Sequence, residues 1–106
     1  MQTTPTPTTR TFTRNSGETV TVTEWEMGAY TLRKTEDPDY TDWGVLTADR
    51  DLPRVEDIAG FGQPTEFGVS CASIADLAPT EAAAWAGKIM EAAQAALTFN
   101  MIAAAN

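Results

Sequence analysis

"RTFTRNSGETVTVTEW", Arg10 to Trp25, is the stretch on which the fold turns. Two runs rich in Thr, Val and Phe flank Asn15-Ser16-Gly17, and β-branched residues fit a pleated surface better than a helix. The glycine can take the left-handed conformation that closes a three-residue hairpin loop. Val20 and Val22 fall on one face and the threonines between them on the other, so one side of the pair is available for burial. The reading is an antiparallel strand pair.

Upstream, residues 1–9 alternate Thr and Pro without a large apolar side chain, and read as a loose tail. Downstream, "GAYTLRK" predicts a third strand with Tyr30 and Leu32 on one face. "WGVLTA", Trp43 to Ala48, predicts a fourth. "DRDLPRVEDIAGFGQP" carries two prolines and two glycines and reads as loop, with one helical turn around Val55 to Ile58. "TEFGVSCAS" predicts a further strand with Phe67, Val69 and Cys71 facing one way, which would bury Cys71 as a small core residue.

The last third is helical. Pro79 in "DLAPTEAAAW" suits the first helical position, where its missing N–H is no loss, and Glu81 falls in the first turn beside the positive end of the dipole. The alanines carry the helix to about Ala103. Glu81, Lys88, Glu91 and Thr98 make a solvent stripe. Trp85, Ile89, Ala92, Ala96 and Phe99 make one apolar stripe, and Ala86, Met90, Ala93, Leu97 and Met101 the adjacent one. Trp85 is the expected anchor of helix to sheet. The apolar arc is wider than one small sheet requires, which points to a homodimer through this helix. The fold class expected is α+β: an antiparallel sheet of four or five strands packed by one long C-terminal helix, in a single domain over residues 10–106.

Composition excludes several kinds of chemistry. The chain has 106 residues, no histidine, one cysteine and a net charge of −8. Without histidine there is no Ser-His or Cys-His catalysis and no imidazole for zinc or proton transfer. Cys71 cannot form an internal disulfide, which fits a reducing compartment and a cytoplasmic location. The N-terminus lacks the basic and apolar regions of a signal peptide. The C-terminal apolar run is broken by Lys88, Glu91, Gln94 and Asn100, so it is not a membrane span. An acidic field repels phosphate backbones and anionic membranes, and favours a partner with a basic surface.

The charge is concentrated. Residues 36–57 hold eight acids and two bases, which is −6 of the −8. The segment opens with "TEDPDYTDWG", Thr35 to Gly44, where Pro38 and the Asx residues favour a turn. A calcium loop begun at Asp37 would have Asp42 at its glycine position and Ala48 at its final bidentate acid, so the register fails. Asp49-Arg50-Asp51 has no phosphate cradle beside it, and Gly60 and Gly62 are not followed by a helix start. No cofactor or metal is expected. Acids interleaved with Tyr40 and Trp43 instead suit docking, with aromatics supplying contact area and carboxylates supplying steering. The candidate partner-binding residues are Asp37, Asp39, Tyr40, Asp42, Trp43, Asp49 and Asp51.

"TFT…GETVTVTEW" followed by "VSCASIADLAPTEAAAWAGKIMEAA" resembles a set of uncharacterised small acidic proteins of actinobacteria and their phages, in which short strands lead to an Ala-rich C-terminal helix. The resemblance covers the two ends of the chain and not the acidic middle. Some members carry a Cys and a His after the hairpin tryptophan. Here Trp25 is followed by Glu26 and Met27, so no metal role carries over. The resemblance implies an actinobacterial or phage origin, with the host cytoplasm as location if phage-encoded. The expected function is a non-enzymatic protein-interaction module acting on a basic host-protein surface. The alternatives are a DNA-mimic inhibitor of a nucleic-acid-binding protein and a small hydrolase using paired carboxylates.

Overall fold

Among the described residues six strands precede one helix: β1 (Thr8–Thr13), β2 (Thr19–Met27), β3 (Tyr30–Glu36), β4 (Thr41–Thr47), β5 (Arg54–Asp57), β6 (Phe67–Ser70) and α1 (Pro79–Ala105). The computed structural model describes residues 4–71 and 76–106. The class is α+β, with a four-stranded antiparallel sheet in the order β1-β2-β3-β4 and a separate two-stranded sheet of β5 and β6. The chain divides into two compact units, Met1–Leu46 and Thr47–Asn106.

In the first unit the Asn15-Ser16-Gly17 loop closes β1 on β2 as its sequence predicts. Gly17 takes φ +91°, its N–H donates to the Arg14 carbonyl at 2.9 Å, and the Arg14 N–H donates to the Glu18 carbonyl at 2.8 Å. Gly28, at φ +60°, opens the two-residue turn between Met27 and Tyr30. The pairing Trp25↔Leu32 and Met27↔Tyr30 puts Trp25, Leu32 and Tyr30 on one face. Val20 and Val22 lie on the other, by the period of two. All five are buried, while β1 is exposed along its whole length. Strand β1 begins at Thr8, opposite Glu24, so the tail expected through residue 9 is shorter. Its residues 1–3 lie outside the described residues.

In the second unit α1 is in contact with β5 and β6. Pro79 opens the helix at the first helical position and the Ala82 N–H donates to the Ala78 carbonyl at 2.8 Å. Phe67 on β6 meets Phe99 on α1 edge to face, with centroids 6.5 Å apart. The helix buries Ala92, Ala95, Ala96, Thr98, Phe99 and Ile102, a stripe at i, i+3, i+4 and i+7. Asn100, in the same turns, reaches β6: its Oδ1 accepts the Phe67 N–H at 2.6 Å and its Nδ2 donates to the Phe67 carbonyl at 3.0 Å. One amide side chain thus pairs both backbone groups of a strand residue.

Four expectations are corrected. Thr98, expected on the solvent stripe of α1, is buried, on the same side of the helix as Ala95 and Ile102. The helical turn at Val55 to Ile58 is strand β5. Arg54–Asp57 pairs antiparallel with Phe67–Ser70, and Val55 is buried opposite Val69, a tertiary gain that overrides the local turn signal. Cys71 is exposed: the ladder ends at Arg54↔Ser70, so the strand stops before it can turn the thiol inward. Residues 72 and 73 of that strand candidate lie outside the described residues. Trp85 is half-buried, where Phe99 is fully buried, and is not the anchor. Two strands of four residues cover a patch roughly 13 Å long, against about 40 Å of helix. Only the second half of α1 is buried, and Phe99 takes the anchoring place. Among the described residues no helix is long and apolar enough to cross a membrane.

Candidate functional site: an acidic hairpin tip

The turn between β3 and β4 is built by the carboxylate of Asp37. Its Oδ1 accepts the N–H of Asp39 at 2.8 Å and of Tyr40 at 2.9 Å, and the Asp37 N–H donates to the Tyr40 carbonyl at 3.0 Å. An Asp preceding Pro at a reversal is placed to do this, since its side chain mimics the next turn of backbone. The other oxygen, Oδ2, takes Arg14 Nη1 at 3.3 Å, and the same nitrogen donates to Glu18 Oε2 at 3.1 Å. Arg14 therefore ties the β1–β2 loop to the β3–β4 turn at one end of the sheet.

The Asp37 side chain is only 2 % exposed. Burial pushes its carboxyl upward. The N–H groups of Tyr40 and Asp39 and the Arg14 guanidinium outweigh that, and hold it below the usual carboxylate range.

What the turn displays differs from what holds it. Asp39, Tyr40 and Asp42 are exposed, Tyr40 by 60 %. Trp43 is half-buried on the sheet: its ring stacks on Trp25, and Lys34 Nζ stands over it. The bases of this unit are engaged by acids. Arg10 and Arg33 reach Glu24 at 3.7 and 3.0 Å, Arg14 reaches Glu18 and Asp37, and Lys34 reaches Glu36 at 3.3 Å. Asp39 and Asp42 form no ion pair among the described residues, so the outward charge of the tip is negative.

Asp49 and Asp51 lie in the second unit, ahead of β5. Asp49 Oδ1 accepts the Asp51 N–H at 2.9 Å, and the Leu52 N–H donates to the Asp49 carbonyl at 3.1 Å. Asp57 Oδ1 likewise accepts from Ala59 at 2.9 Å and Glu66 at 3.4 Å. Within the acidic segment Asp37, Asp49 and Asp57 each commit an oxygen to a turn, while Asp39, Asp42 and Asp51 point their charge outward. The signal for Asp37 and Asp49 was the Asx-turn spacing of "DPD" and "DRD".

Phe61 was not singled out from the sequence. It is fully exposed in the loop joining β5 to β6, where the Gln63 N–H donates to the Gly60 carbonyl at 3.0 Å and the Ile58 N–H to the Glu66 carbonyl at 2.7 Å. Its signal was a large apolar residue between two glycines. A shallow groove of about 250 Å³ runs along the start of α1, lined by Leu77, Glu81, Ala84, Trp85 and Lys88. Among the described residues no three His, Cys, Asp or Glu side chains are grouped to hold a metal ion. No protein-family model, curated protein or solved structure matches the chain.

Proposed function

We propose that the chain is a non-enzymatic interaction module that docks its β3–β4 hairpin tip on a basic protein surface. The observation that carries this reading is the pre-organised tip: Tyr40 is exposed between Asp39 and Asp42 on a turn whose backbone Asp37 and Arg14 hold in place. An ordered aromatic anchor loses little conformational freedom on binding, and flanking unpaired carboxylates steer a cationic partner. Trp43 supports the tip from the sheet, and Asp49 and Asp51 are a second acidic element on the other unit. The resemblance to small actinobacterial and phage proteins makes a host protein the partner sought, in the reducing cytoplasm that the free Cys71 suits.

A DNA mimic calls for a row of outward carboxylates. Turn-forming Asp37 and Asp49 interrupt such a row, so docking is the better supported reading.

The test is affinity capture from actinobacterial lysate, followed by titration of the captured protein against variants. Tyr40→Ala weakens binding on the order of 30-fold if Tyr40 is a hot spot. Asp39→Asn with Asp42→Asn slows association and flattens its salt dependence. Affinity and salt dependence unchanged in both variants would count against the proposal.

A further inference from the structure

One line of α1 is turned away from the residues the helix buries. Met90, Leu97 and Met101 are 63, 64 and 65 % exposed. Ala83, Ala86, Met90, Ala93 and Leu97 follow one another at alternating steps of three and four residues, the spacing of a coiled-coil seam. The helix's charged residues, Glu81, Lys88 and Glu91, fall outside this seam, and none follows Glu91.

We propose that this seam binds a second copy of the chain, with the two α1 helices antiparallel. The seam is self-complementary in that direction. Turned end for end, Met90 meets Ala93 of the second copy and Leu97 meets Ala86, so each large side chain of the seam lands on an alanine. A two-fold axis repeats every contact, as an isologous interface requires. The parallel alternative sets Met90 on Met90 and Ala93 on Ala93, which crowds one layer and leaves the next empty.

The overlap extends along nearly the whole helix, about 40 Å. Alanine-lined helices approach to about 8 Å, and the pair hides on the order of 1,000 Å², the threshold of a specific interface. A chain of net −8 repels its copy, so self-association requires a contact that sets no carboxylate against another, and this seam carries none. Opposed helix dipoles add to the preference for antiparallel pairing.

Light scattering across a concentration series tests the state of assembly. The wild type gives twice the chain mass by about 100 μM. Leu97→Glu and Met90→Glu each give the single-chain mass with an unchanged circular dichroism spectrum, because both positions are exposed. Direction is tested by a spin label at Ala83→Cys in a Cys71→Ser background. Antiparallel helices set the two labels about 25 Å apart, parallel ones about 10 Å. A wild type that stays single at that concentration overturns the proposal and leaves the seam to a different partner. A dimer that persists in Leu97→Glu, or a short label distance, overturns the seam or its direction.

Discussion

The rings of Trp25 and Trp43 stack with centroids 5.9 Å apart and planes 22° from parallel, and Lys34 Nζ lies 5.4 Å from the Trp43 centroid. This relationship assigns the aromatic residues of the acidic segment different work. Trp43 is held by its stack on Trp25 and by the Lys34 cation. Tyr40, three residues earlier, is left in solvent at the turn. A hairpin tip that carries charge outward stays ordered because its base is aromatic and its turn is closed by Asp37.

Removing the lower ring tests that division. Trp43→Ala loses the stacked pair and part of its apolar contact, and lowers unfolding free energy by about 2–3 kcal/mol, within the range for aromatic truncation discounted for partial exposure. Urea denaturation measures the loss. The exciton signal of the tryptophan pair should vanish from the circular dichroism spectrum in the same variant. Tyr40→Ala, by contrast, changes stability by about 0.5 kcal/mol or less.

The second unit rests on Phe99. Its side chain is fully buried and meets Phe67 edge to face, so Phe99→Ala costs about 3–5 kcal/mol. Trp85→Ala costs less, about 2 kcal/mol, because Trp85 is half-buried with Lys88 Nζ 5.9 Å from its ring, whereas Phe99 is fully buried. Thermal unfolding of the two variants distinguishes them. The reverse order would restore Trp85 as the anchor.

Stability at low pH reports on Asp37. Its folded carboxyl titrates below the unfolded value, so its contribution is complete above about pH 4 and is lost as pH falls through the folded value. Asp37→Asn keeps an oxygen for the Asp39 and Tyr40 N–H groups and loses the Arg14 pair. It should flatten the acid limb of a plot of Tm against pH. Asp37→Ala lowers Tm at every pH, since both turn N–H groups lose their acceptor. An acid limb identical in wild type and Asp37→Asn would remove Asp37 as its source.

Most elements could be read from the sequence because their signals are local. The β1–β2 hairpin followed from its glycine and alternating valines, and α1 from Pro79 and its alanines. The misread elements depend on distant residues. β5 is a strand because of what Val55 meets on β6, and Trp85 is displaced as anchor because the two-stranded sheet is too short to reach it. At the hairpin tip the acids were visible as a cluster, but composition alone did not separate Asp37, which builds the turn, from Asp39 and Asp42, which face outward. Hydrogen-bond geometry makes that distinction. Phe61 was overlooked for the converse reason: burial is the usual state of Phe, and only the surrounding glycines hinted otherwise.

Asn100 is the sharpest test of how the helix is fixed to β6. Between Phe99 and Met101 it bonds both backbone groups of Phe67 on β6. Asn100→Ala leaves a part-buried donor and acceptor without those partners, at a cost of about 2–3 kcal/mol. The Phe67 amide should then lose its protection from hydrogen exchange. Asn100→Asp separates the two bonds. An ionised carboxylate still accepts the Phe67 N–H but turns a second lone pair toward the Phe67 carbonyl, which disfavours the charged form and raises its folded pKa. The protonated acid has one donor and one acceptor, as the amide does. Asn100→Asp is therefore least stable relative to wild type at neutral pH and recovers as pH falls through that raised pKa, opposite in sign to the acid limb set by Asp37. A deficit independent of pH would mean that the amide donates nothing of consequence to Phe67.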